Sequence, residues 1–123
     1  MIERRLIVAD GQQDAAELER LRLRLLSLPY EGVAELTLEA ARTGAELLIA
    51  ADPDAGFLVH LIGADGKGLA LIDPSRGSAE VVARIGDQAA AYEARMLVNP
   101  ETAIRAALQF AQSGGAAPEL SWV

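Results

Sequence analysis

Cysteine is absent from this 123-residue chain, and histidine, tryptophan and lysine occur once each. Without cysteine there is no disulfide framework and no thiolate metal site. With His60 as the only histidine, the usual zinc ligand sets cannot be assembled. A Ser-His-Asp system would have to be built on His60, and no nucleophile elbow accompanies it. Long apolar runs are missing too, and none approaches the ~18 residues a spanning helix needs. The N-terminal run Ile2 to Val8 carries Glu3, Arg4 and Arg5 and is too short for a signal peptide. These absences fit a cytoplasmic protein with no cofactor and no membrane contact. Basic residues are sparse: 11 against 18 acidic ones, for a net charge of −7. That balance argues against direct nucleic-acid binding, which uses clustered Lys and Arg. It favours solubility, or a partner with a basic surface that complementary fields would draw in.

What is present is an ordinary globular composition, 51% hydrophobic and 24% charged. The length corresponds to one domain, residues 1–123, burying roughly 65% of its unfolded surface.

The hydrophobic pattern changes period along the chain. Arg5 to Ala9 is a short β-prone run closed by Asp10-Gly11. Asp14 then precedes a helical pattern in which Leu18, Leu21, Leu25 and Leu28 form a stripe, with Leu23 and Leu26 widening it. Pro29 ends that helix. Short β-like runs follow: Ala34 to Leu38, Glu46 to Ala51, Phe57 to Ile62 and Leu69 to Ile72. The last two are apolar on both alternating faces, as in strands covered on both sides. Asp52 to Gly56, Ala64 to Gly68 and Asp73 to Gly77 are turns by their Asp, Pro and Gly chemistry. In Glu80 to Ile85, Val81, Ala83 and Ile85 share one face, and Gly86-Asp87 turns the chain. Gln88 to Val98 then pairs back as a strand, with a helix through Ala89 to Ala91 as the competing assignment. The predicted fold is α+β: a mostly antiparallel sheet of five to six strands, a helix near each end, and a short terminal strand.

Motifs for chemistry are few. The 18 acidic residues allow many carboxylate pairs, but no local pattern selects one. Gly63, Gly66 and Gly68 precede a strand, whereas a phosphate-cradling loop needs a helix N-terminus. Asp52-Pro53-Asp54 and Asp65-Gly66-Lys67 lack the spacing and terminal glutamate of a calcium loop. Exposed acidic turns are the best candidates for protein contact: Asp52, Asp54, Asp65, Asp73, Asp87 and Glu93.

The C-terminal stretch is the most informative. Asn99 is a good N-cap, Pro100 suits the first helical position, and Glu101 favours the positive end of the helix dipole. Ala103, Ile104, Ala107, Leu108 and Ala111 form an apolar face, with Phe110 off its centre. Gly114 or Gly115 supplies a left-handed stop. Pro118 leads out, and Leu120 and Trp122 alternate around Ser121. The run Asn99-Pro100-Glu101, Ala103, Ala107-Leu108, Phe110, Ser113-Gly114, Pro118, Leu120 and Trp122 resembles the closing signature of immunity protein family one, from bacterial polymorphic-toxin systems. It covers about the last fifth of the chain. That family is commonly described with two tryptophans, and this chain has Trp122 alone. The resemblance implies a non-enzymatic inhibitor encoded beside a secreted toxin, in many cases a nucleic-acid deaminase. It implies a 1:1 complex with the toxin's C-terminal domain, whose surface is basic, and a monomer when free. Asn99, Pro100, Leu108, Phe110, Gly114, Pro118 and Trp122 are then structural. Two other readings stay open: a ligand-binding or enzymatic domain with a pocket near His60, and an adaptor that dimerises through Leu18, Leu21 and Leu25.

Overall fold

The computed structural model describes residues 2–8, 11–86 and 88–123, and for residues 2–8, Val33 and Ala34 it describes the backbone alone. The fold is α+β. Strand β1 (Ile2–Val8) leads to helix α1 (Ala15–Ser27) and a short 3₁₀ turn (Leu28–Tyr30). Strands β2 (Val33–Ala40), β3 (Glu46–Asp52), β4 (Gly56–Ile62) and β5 (Gly68–Ile72) follow as an antiparallel meander. Strands β6 (Glu80–Ile85) and β7 (Gln88–Glu93), a 3₁₀ turn (Ala94–Met96), helix α2 (Pro100–Ser113) and strand β8 (Ser121–Trp122) complete the chain. The main sheet has six strands in the order β1-β2-β3-β4-β5-β8.

Local chemistry explains most boundaries. Asp14 caps α1 by accepting the Glu17 amide at 2.8 Å. Pro29 converts the last turn of that helix to 3₁₀ geometry. Gly56 has φ +122°, and a Cβ there would lie 2.8 Å from the Val98 carbonyl oxygen. Only glycine lets Phe57 and Val98 pair across that gap, at 2.9 Å in both directions.

Both helices cover one face of the sheet. The core there joins Leu21, Leu25 and Leu28 to Leu36, Leu38, Leu47, Ile49, Phe57, Val59 and Leu71 of the strands, and to Ala103, Ala107 and Phe110 of α2. The opposite face carries Thr37, Leu48, Ala50, Leu58 and His60, by strand alternation. Part of it is roofed by β6 and β7, where Leu58, Ala83 and Leu97 make a small second core.

Several expectations change. The first strand runs Ile2–Val8 rather than Arg5 to Ala9, and Ala9 lies outside the described residues. It pairs parallel with β2, because α1 returns the chain to the starting end. Strand β7 stops at Glu93 instead of running to Val98, since Ala94–Met96 turns back toward β5. The alanine run is a strand, and the β6–β7 hairpin leaves the main sheet to form a two-stranded one of its own. Leu23 and Leu26 are exposed, because only the Leu18-Leu21-Leu25-Leu28 line faces the strands. Phe110 is the centre of the α2 face and is fully buried, while Leu108 sits at its margin. The helix is rotated so that Ala103, Ala106, Ala107, Phe110 and Ala111 point inward. Strand β5 is covered on both sides only at Leu71 and Ile72; Gly68 and Leu69 are exposed.

Candidate functional site

One end of the molecule gathers features that the sequence scatters. The β3–β4 turn, the loop after β5, the N-terminus of α2 and the C-terminal end of α1 surround a groove of about 440 Å³. Asp52, Asp54, Asp73, Arg76, Asn99 and Pro100 line it, with Leu26 and Tyr30 on the α1 side. Tyr30 is 76% exposed, the highest value among the exposed large hydrophobic side chains. Behind the same turn lies a second groove of about 420 Å³, where Asp52 and Asp54 face Val82, Arg84 and Ala89 of the hairpin. The Asp52–Asp54 turn is therefore a ridge between two depressions.

The aspartates differ in how far their own turns occupy them. Asp52 accepts the amides of Asp54 at 2.7 Å and Ala55 at 3.1 Å, and its other oxygen takes the Arg84 amide of β6. Burial pushes the Asp52 carboxyl up, but the three backbone donors and the Arg84 charge outweigh it and hold it below the usual range. Asp73 accepts the Ser75 hydroxyl at 2.6 Å and the Ser75 amide at 2.9 Å, and these bonds, aided by the nearby Arg76, lower it as well. Arg76 donates to the Leu97 carbonyl at 2.6 Å and so is held to the scaffold. Asp54 is exposed and lines both grooves.

Of the six acidic candidates, Asp52, Asp54 and Asp73 come together here. Asp65 does not: it accepts the Lys67 amide in the β4–β5 turn, at the other end of the sheet. Glu93 ends β7 and pairs with Arg95 at 2.9 Å. Asp87 lies outside the described residues. Tyr30, Leu26 and Val82 were not singled out from sequence. The signal for Val82 was available, since alternation with inward Val81 and Ala83 puts it outside. For Leu26 and Tyr30 it was not, because their exposure depends on how α1 is rotated against the sheet.

The terminal residues form a clamp. Asn99 accepts the Thr102 amide at 2.8 Å, Pro100 opens α2, and Gly114 closes it at φ +73°. The Trp122 indole donates to the Ala117 carbonyl at 3.0 Å, and its strand pairs with β5 through Leu71. Pro118 is exposed. Asn99 and Pro100 belong to the clamp and also form one wall of the groove.

His60 is half-buried on the back face, in a cleft of about 380 Å³ with Glu35, Leu48, Gln88 and Tyr92. Among the described residues, that cleft is lined by no serine, threonine, cysteine or lysine. Among the described residues no group of three His, Asp or Glu side chains is placed to hold a metal ion. No described helix is long and apolar enough to cross a membrane. No protein-family model matches the chain, and no curated protein or solved structure matches it.

Proposed function

We propose that this protein is an immunity protein that binds a cognate toxin domain one-to-one and blocks its substrate cleft without chemistry of its own. The observation that supports this most is the pairing of an exposed aromatic, Tyr30, with the acidic ridge of Asp52, Asp54 and Asp73 around one groove. Aromatic anchors supply contact area, and surrounding charge supplies orientation and on-rate. A basic cleft that grips nucleic acid is the complementary surface. A deaminase is such an enzyme: it takes a base into a pocket and attacks it with zinc-activated water. The resemblance of the terminal segment to immunity protein family one points the same way. The complex forms in the producer's cytoplasm, and the free inhibitor is a monomer.

The test is co-purification with the toxin domain encoded beside this chain, together with rescue of cells from it. Tyr30→Ala is expected to weaken the complex by about 2 kcal/mol. Asp54→Lys is expected to slow association most at low salt. Absence of both binding and rescue sinks the proposal.

A second reading, a ligand-binding domain, is favoured by the cleft around His60. His60→Ala separates the two, because it leaves toxin protection intact on the first reading and abolishes function on the second. Dimerisation through α1 is disfavoured by geometry, since Leu21 and Leu25 already pack in the chain's own core.

A further inference from the structure

Strand edges are normally paired, covered or guarded by charge and proline, because an open row of N–H and C=O groups recruits another strand. This chain treats most of its edges that way. Strand β8 covers β5, with the Val123 amide bonded to the Ala70 carbonyl at 2.9 Å and the reverse bond at 2.8 Å. The β1 edge carries Glu3, Arg4 and Arg5 in its sequence. On β6, the outward Arg84 amide is taken by the Asp52 carboxylate.

On strand β7 no such guard is found among the described residues. Its register pairs Arg84 with Ala89 and Val82 with Ala91. Because the Arg84 amide points away from β7, toward Asp52, the Arg84–Ala89 pair is one whose backbone groups face outward on both strands. The N–H and C=O of Ala89 therefore face the open side, and those of Ala91, two residues on, do the same. Neither residue makes a backbone hydrogen bond outside the β6–β7 ladder among the described residues. From Gln88 to Ala91 there is no charge and no proline, and all four side chains are exposed. On the outer face Val82 is 70% exposed beside them. Ala89 lines the second groove behind the Asp52–Asp54 ridge and also, with Gln88 and Ala90, the cleft around His60, so β7 borders both depressions.

We infer that the outer edge of β7 is a strand-addition site, where an extended segment of the toxin domain pairs with Ala89 and Ala91. This inference rests on the proposed function. Small side chains permit close approach, and backbone bonds supply affinity without demanding a particular partner sequence. Charge selects the occupant. β7 ends in Glu93, faces Glu80 across the hairpin and is preceded in sequence by Asp87. A second copy would bring the same net charge of −7 to this edge, like charge against like. A toxin segment with basic residues flanking a small or apolar centre fits the same edge without that repulsion.

The experiment uses the full chain and the toxin domain encoded beside it. Ala91→Pro removes an outward N–H while leaving the β6–β7 ladder intact, and proline is tolerated at an open edge. Ala89→Pro is the second variant. Each is expected to unfold at the wild-type temperature and to bind the toxin about tenfold more weakly or worse. In the wild type, the Ala89 and Ala91 amides are expected to exchange freely in the free protein and to become protected in the complex. Folded proline variants that bind like wild type, or amides that still exchange freely in the complex, overturn the inference while the immunity reading stands. Should the proline variants fail to fold, amide exchange in the wild type decides. A toxin-free dimer whose Ala89 and Ala91 amides are protected overturns the choice of occupant. No binding and no rescue by the wild type removes the functional reading, and this inference with it.

Discussion

Helix α2 with β8, and the hairpin of β6 with β7, show how differently one chain can treat two neighbouring segments. In the first, the ends are capped by Asn99 and Gly114, the inward face is buried, the tryptophan N–H has a partner, and the terminal strand closes a sheet edge. In the second, three alanines and a valine face water, the second core beneath is small, and the outer edge of β7 stays open among the described residues. The clamp binds its apolar surface and polar backbone groups within the fold. The hairpin leaves both available. Stability should therefore reside in the clamp, while the hairpin and the ridge beside it are free for the recognition proposed above.

Mutations can break this division. The largest expected effect is Phe110→Ala, which empties the centre of the main core and should cost about 3–5 kcal/mol, read by urea unfolding. Gly56→Ala should come next, at about 2 kcal/mol or more. Its Cβ meets the Val98 carbonyl and its φ disfavours any side chain. Asn99→Ala removes the α2 cap and should cost about 1 kcal/mol by thermal melting. Val82→Ala should change stability by less than about 0.5 kcal/mol, although it alters the face beside the open edge. A Val82→Ala loss as large as that of Asn99→Ala would show that the hairpin is part of the stabilising frame, and the comparison would fail.

Asp52 sharpens the comparison, because it ties the hairpin to the β3–β4 turn. Its carboxyl is held below the ordinary value of 3.8. A depressed carboxylate stabilises the fold fully above its unfolded value, and that contribution is lost as pH falls through the folded value. Denaturant midpoints measured from about pH 6 to about pH 3 should therefore fall on acidification, and fall less in Asp52→Asn. An unchanged acid slope in that variant would mean that the tie carries no stability.

Much of the frame was legible from local patterns. The leucine spacing of α1, the Asp14 and Asn99 caps, the Gly114 stop and most strand runs depend on residues a few positions apart, and local physics decides them. The alternation in β6 also told which side chains face out. The acidic turns were legible as turns, yet not as a group. Asp52 and Asp73 are twenty-one residues apart and meet only because β4 and β5 return the chain to the same end.

By itself, then, the sequence determined the α+β class, the absence of thiol and histidine-rich metal chemistry, the acidic character and the capped terminal helix. Each follows from composition or short-range periodicity. The tertiary structure alone decided that β1 pairs parallel, that the hairpin leaves the sheet, that Phe110 is central while Leu26 and Tyr30 are exposed, and that the outer edge of β7 remains open. Those outcomes depend on which distant surfaces exclude water together and which backbone groups find partners, and no local window contains that information.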